Sequence, residues 1–177
     1  MDINASDIYS FYQTKLGGIV KRIIRQKIMS YLDEVDTNII CGYGYTSPYL
    51  SFINKHNASS QVKELRPDFL DGAVQEKYDF EEKAIHEYFI PLEPSTVDVV
   101  ISSHLLEFVE KPISSIEEIW RILKPNGYFI TILPRRSGLW SRYDNNPFGY
   151  GRSYSSKQFQ KLIEDFFVLD NKKSFLH

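Results

Sequence analysis

An apolar run feeding a Gly-x-Gly turn is the stretch of this 177-residue chain whose residue types most directly suggest ligand chemistry. It reads Asn38-Ile-Ile-Cys-Gly-Tyr-Gly-Tyr-Thr-Ser-Pro48. Glycine lacks a Cβ and tolerates positive φ, so Gly42 and Gly44 permit a tight turn at the carboxyl end of a strand and a close backbone approach to a ligand. Ser47 can cap a following helix that has Pro48 as its first residue. A strand, a glycine turn and a helix also make an ordinary connection, so the flanking sequence must decide. A nicotinamide-binding turn would require a third glycine at position 47, where the chain has Ser47. Metal chemistry finds no support: Cys41 is the only cysteine, and the four histidines are scattered without ligand spacing.

The elements that must position this turn follow the order of an α/β fold. Leu16, Ile19, Val20, Ile23, Ile24, Ile28, Met29 and Leu32 recur at helical spacing, with Lys21, Arg22, Arg25 and Lys27 mostly on a solvated face. A helix near residues 48–55 and a strand over 61–65 follow the turn, then a polar stretch, 66–82, with no clear period. Ala84 to Ile90 reads as a strand, and Val97-Asp-Val-Val-Ile101 as one buried on both faces. Ser114 or Ser115, with Glu117 or Glu118 three residues on, predicts a capped helix with an apolar stripe of Ile116, Ile119, Trp120 and Leu123. Lys124 to Gly127 turns the chain into a strand over 128–133. A long loop then leads to a helix capped by Ser155 or Ser156 with Gln158, and Phe166 to Leu169 begins another strand. Alternating strands and helices imply a parallel sheet with ligands at the strands' carboxyl ends.

Composition sets the class. The apolar fraction of 42% and a formal charge of −2 fit one globular domain and argue against a general nucleic-acid binder. No apolar stretch reaches the roughly 20 residues of a membrane helix, and the acidic, polar N-terminus is unlike a signal peptide, so a cytoplasmic location is expected.

Three segments carry a likeness: Ile90-Pro-Leu92, Val97-Asp-Val-Val-Ile-Ser-Ser-His-Leu-Leu-Glu-Phe-Val109 and Glu118-Ile-Trp-Arg-Ile-Leu-Lys-Pro-Asn-Gly-Tyr128. With the Gly42 to Gly44 turn they resemble the class I S-adenosylmethionine-dependent methyltransferases of the ubiquinone and menaquinone branch, over about residues 36–133. A narrower likeness, to an uncharacterised alphaproteobacterial group, rests on Phe11-Tyr12, Leu16-Gly17, Gly44 to Pro48, Pro134 to Trp140 and Pro147 to Tyr154. The resemblance implies a Rossmann-like sheet, mostly parallel with helices on both faces, and leaves open whether the family's seventh strand is present. It also implies one domain: N-terminal helices over 1–35, a cofactor-binding core over 36–133, and an acceptor loop with the last helix and strand over 134–177.

By the same resemblance S-adenosylmethionine is the cofactor. Gly42, Tyr43 and Gly44 would line its methionine and ribose part, and Ser102, Ser103 and His104 would approach the methionine end and the transferred methyl. Glu64 is the candidate for the ribose hydroxyls, a surface salt bridge to neighbouring Arg66 being the other reading. His86 or Glu87 would sit near adenine or in solvent. The chain departs from the family pattern at Ile40, usually acidic, and at Thr46, usually the third glycine. Both changes should weaken cofactor binding or alter its geometry.

Methyl transfer from a sulfonium has a good leaving group, so alignment dominates and few catalytic residues are needed. His104 is the candidate base, the alternative being a helix-start histidine bonded to backbone. In the loop over 134–154, Arg135, Arg136, Arg142 and Arg152 can pair with anions while Trp140, Phe148 and Tyr150 offer flat apolar surface. Arg135, Trp140, Phe148 and Tyr150 are therefore the candidates for binding a small-molecule acceptor. A catalytically inactive module of the same fold is the alternative, and a missing seventh strand would leave a sheet edge that a second copy of the chain can cover.

Overall fold

The computed structural model describes residues 5–56, 59–70, 79–134 and 151–169. Its elements, in chain order, are α1 (Ala5–Gln13), α2 (Lys15–Leu32), β1 (Ile39–Gly44), α3 (Ser47–His56), β2 (Gln61–Pro67), a single 3-10 turn (Asp68–Leu70), β3 (Glu81–Ile85), β4 (Val97–Ser103), α4 (Pro112–Ile122), β5 (Leu123–Ile132) and α5 (Ser156–Ile163).

The strands form one parallel sheet in the order β3-β2-β1-β4-β5. β1 and β4 lie at its centre and are apolar on both faces, as buried parallel strands must be. Side chains alternate between two cores. Ile40, Val62, Val99 and Ile101 pack with Ile8, Ile28, Leu32, Leu50 and Ile53 of the first three helices. Cys41, Leu65 and Val100 pack on the opposite face with Ile116, Ile119, Ile122 and Ile163 of α4 and α5. From β1 the chain moves outward to β2 and β3, then returns across β1 to β4, so the strand order reverses between β1 and β4. In open sheets of this kind the crevice at that reversal is where ligands bind.

Several sequence expectations need correction. The third strand lies over Glu81–Ile85 rather than 84–90, because its polar residues pair with β2: Lys63 binds Glu81 at 2.8 Å and Arg66 binds Glu82 at 3.1 Å. α4 begins at Pro112 without a side-chain cap, proline supplying the first-turn geometry. Ser115 is buried inside the helix, and Glu118 instead accepts from the Ile90 N–H and pairs with Arg121. Trp120, expected in the apolar stripe, is 57% exposed. Phe166 to Leu169 form no strand, and among the described residues the outer edge of β5 carries no partner strand. α5 matches its expectation, with a complete capping box between Ser155 and Gln158.

Candidate functional site

Gly44 ends β1 at φ 105°, a conformation that side chains rarely adopt, and a Cβ there would stand 2.4 Å from the Ser103 carbonyl oxygen. The following Tyr45 N–H donates to that same oxygen at 2.8 Å. The glycine turn thus folds directly onto the end of β4, at the reversal crevice. Gly42 serves packing instead: its missing Cβ makes room for Thr46 Oγ1 and Leu50 of α3.

Glu64 faces this turn from β2, opposite Gly42 in the register. Its side chain is fully buried, and both oxygens are engaged. Oε1 accepts from the Thr46 N–H and the Thr46 hydroxyl, each at 2.8 Å, and Oε2 accepts from the Ser47 hydroxyl and Arg66 Nη2, each at 2.6 Å. A carboxylate at a helix start satisfies N–H groups that lack an intrahelical partner and meets the positive end of the helix dipole. Here Glu64 takes that role for α3. The pair with Arg66 is buried rather than on the surface, and Arg66 also reaches Glu82. Burial works against the Arg66 charge, yet Glu64 and Glu82 outweigh it and raise the guanidinium above its ordinary value.

At the end of β4 a second polar cluster is buried. His104, at φ 52°, holds its Nδ1 3.1 Å from Glu107 Oε1 and its Nε2 2.8 Å from the Tyr12 hydroxyl. Tyr12 comes from α1, and its hydroxyl also bonds the Tyr49 hydroxyl at 2.6 Å. The Tyr12 ring stacks on Tyr45 with centroids 6.0 Å apart. Burial, reinforced by Tyr49, raises Tyr12 well above the ordinary phenol value, and burial pushes Tyr49 up to about 12. Both are neutral donors at physiological pH. Both ring nitrogens of His104 thus face side chains.

The remaining candidates divide. Tyr43 is buried in the opposite core, with its hydroxyl donating to the Glu87 carbonyl, so only its backbone borders the crevice. His86 is exposed and Glu87 half-buried past the end of β3. Ser102 and Ser103 lie at the carboxyl end of β4, opposite Tyr43 and Gly44. Ser102 Oγ and Glu107 Oε2 are buried without a hydrogen-bond partner among the described residues. Arg135, Trp140, Phe148 and Tyr150 lie outside the described residues. Arg152 spends its polar groups locally, its N–H on the Glu107 carbonyl and Nη1 on the Glu110 carbonyl.

A cavity of about 1490 Å³ runs along β5. Ile23, Ile24 and Ile28 of α2 and Ile130 and Ile132 of β5 give it an apolar wall, and Tyr12 and His104 both line it. Sequence reasoning named His104 but not Tyr12, whose only signal was the narrower family likeness; nor did it name Thr46 and Ser47 as partners of Glu64.

Comparison with known proteins places this geometry. The family model described as a methyltransferase domain matches residues 38–131, from the start of β1 through nearly all of β5. A mitochondrial arginine-hydroxylase of Homo sapiens is 32% identical over 94 residues, 51% of this chain and 26% of that protein. A highly reducing polyketide synthase of Emericella nidulans is 29% identical over 101 residues, 57% of this chain and 4% of the synthase. The chain thus spans a small part of the length of these curated relatives. Among solved structures, a SAM-dependent methyltransferase from Aquifex aeolicus superposes with a TM-score of 0.69 at 18% identity, covering 92% of this chain and 87% of that one. A SAM-dependent methyltransferase from Thermotoga maritima, described as a possible histamine N-methyltransferase, gives 0.65 at 16% identity, covering 92% and 80%. These two likenesses show the fold.

Proposed function

Because the chain belongs to the methyltransferase-domain family, we propose that it transfers a methyl group from S-adenosylmethionine to a small-molecule acceptor. The observation that carries the reading is a group of buried polar atoms left without a partner among the described residues, among them Ser102 Oγ at the carboxyl end of β4 and Glu107 Oε2 just past it, beside the glycine turn at the β1–β4 reversal. Buried polar groups normally have partners, and unmet ones cost about 1–3 kcal/mol each, which supports a polar ligand end being accommodated here. The backbone of Gly44, Ser102 and Ser103 would hold the amino-acid end, and the bound sulfonium supplies an electrophilic methyl.

The departure at Thr46 belongs together with Glu64. A glycine at position 46 would leave Glu64 one donor short, so the threonine completes a turn that Glu64 holds from behind. Glu64 can reach ribose hydroxyls only by exchanging one of these partners; Glu87 and His86, past β3, are the remaining polar candidates for the nucleoside end. The cavity along β5, with His104 in its wall, supports an acceptor that enters from that side with apolar surface toward α2.

Calorimetric titration with S-adenosylmethionine tests the reading. Saturable one-to-one binding at micromolar to low millimolar concentration is expected, weakened at least tenfold in Gly44→Val. No heat of binding at millimolar cofactor would refute it.

A further inference from the structure

We propose that Glu107 and Tyr12 set the protonation and access of His104, so that its Nε2 is the base for a hydroxyl acceptor and the Tyr12 hydroxyl occupies the acceptor's place until it arrives. The proposal rests on the methyl-transfer reading above.

Hydrogen-bond logic fixes the tautomer. Glu107 is taken as a carboxylate, which only accepts; the nitrogen that faces it, Nδ1, then carries the ring proton. Nε2 is then the lone pair, and it accepts from the Tyr12 O–H at 2.8 Å. With its own proton directed at Nε2, Tyr12 leaves its oxygen to accept from the Tyr49 hydroxyl 2.6 Å away. Every member is buried, at 4% exposure for His104, 3% for Tyr12 and 2% for Glu107, so water does not compete for these bonds. Position 104 is also held at positive φ, an uncommon conformation that aims the ring back toward α1 and persists only where its surroundings enforce it.

Access follows from the same contacts. Tyr12 and His104 both line the cavity along β5, and Tyr12 stands against the basic nitrogen. An acceptor hydroxyl reaching Nε2 must displace the Tyr12 hydroxyl and can take over its bond. In the transfer, the acceptor O–H bond breaks and its proton goes to Nε2. The oxygen lone pair forms the bond to the methyl carbon while the carbon–sulfur bond breaks toward sulfur. The products are a methyl ether, the neutral thioether S-adenosylhomocysteine, and an imidazolium facing Glu107. Glu107 and Tyr12 are thus positioning residues, and Tyr12 lies outside the span matched by the family model.

The test combines nitrogen NMR of the His104 ring with chemical rescue. In the wild-type protein at neutral pH the ring should show a protonated Nδ1 and an unprotonated Nε2. Tyr12→Phe, which keeps the ring and its packing, should move the Nε2 resonance toward that of a nitrogen without a donor and leave Nδ1 in place. Glu107→Gln should convert the single tautomer to a mixture. A wild-type ring protonated at Nε2, or a Tyr12→Phe spectrum identical to wild type, would overturn the proposal. In Tyr12→Ala, phenol supplied as the probe with S-adenosylmethionine should give anisole, at least tenfold more than in wild type and lost again in the Tyr12→Ala, His104→Ala double variant. A folded, cofactor-binding Tyr12→Ala protein that yields no anisole also overturns it. Calorimetry with S-adenosylmethionine on the same preparations separates the two readings: absent binding removes the methyl-transfer reading, whereas binding with the wrong tautomer removes only the relay.

Discussion

Replacing Glu64 by alanine removes the shared acceptor of Thr46, Ser47 and Arg66 in one step. The two sides of the loss differ in size. Removing one partner of a buried ion pair costs about 3–5 kcal/mol, because the other charge stays buried and uncompensated. Arg66 keeps Glu82 at 3.1 Å, which places the expected loss near the low end. The orphaned Thr46 N–H, with water able to enter the space left behind, adds about 1 kcal/mol. The sum, roughly 4 kcal/mol, is a large share of the 5–15 kcal/mol that holds a typical domain together. Urea unfolding followed by circular dichroism, with linear extrapolation, measures it. The double variant Glu64→Leu with Arg66→Met removes both charges and should recover at least half of the loss, since a buried pair is worth little net against apolar replacements. A loss below about 1 kcal/mol, the range of a surface pair, would refute the reasoning. A double variant less stable than Glu64→Ala would refute it too.

Other outcomes follow from the same geometry. Gly44→Ala forces a side chain into positive φ against the Ser103 carbonyl oxygen and should cost about 1–3 kcal/mol in the same unfolding assay. Arg121 and the Ile90 N–H hold the Glu118 carboxyl below its ordinary value. A depressed carboxyl contributes stability above its unfolded value of 4.5 and loses it as pH falls through the lower folded value. Thermal midpoints should therefore drop on acidification below about pH 4.5 in wild type and drop less in Glu118→Gln.

What the sequence made legible was what local pattern encodes. β-branched runs located β1 and β4, helical spacing located α2, and the Ser155 and Gln158 signature located the start of α5 almost to the residue. β3 was misplaced because its residues Glu81, Glu82 and Lys83 carry no apolar alternation; Glu81 and Glu82 are held by ion pairs to β2, which only the folded register brings together. From sequence Glu64 reads as a ribose ligand or a surface partner of Arg66; its partners Thr46 and Ser47 in the buried cluster lie 18 and 17 positions away, beyond any local pattern. Tyr12 stood out least. Its bond to His104 spans 92 positions and joins α1 to the end of β4, a contact that no periodicity reports.

The central claim is that S-adenosylmethionine binds across the carboxyl ends of β1 and β4. Backbone amide NMR during titration with S-adenosylhomocysteine tests it most directly. The account predicts that the largest shifts fall on Gly44, Tyr45, Ser102, Ser103 and His104, with α4 and the outer edge of β5 nearly unchanged. Shifts confined to other surfaces, or a spectrum unaltered at millimolar ligand, would contradict it.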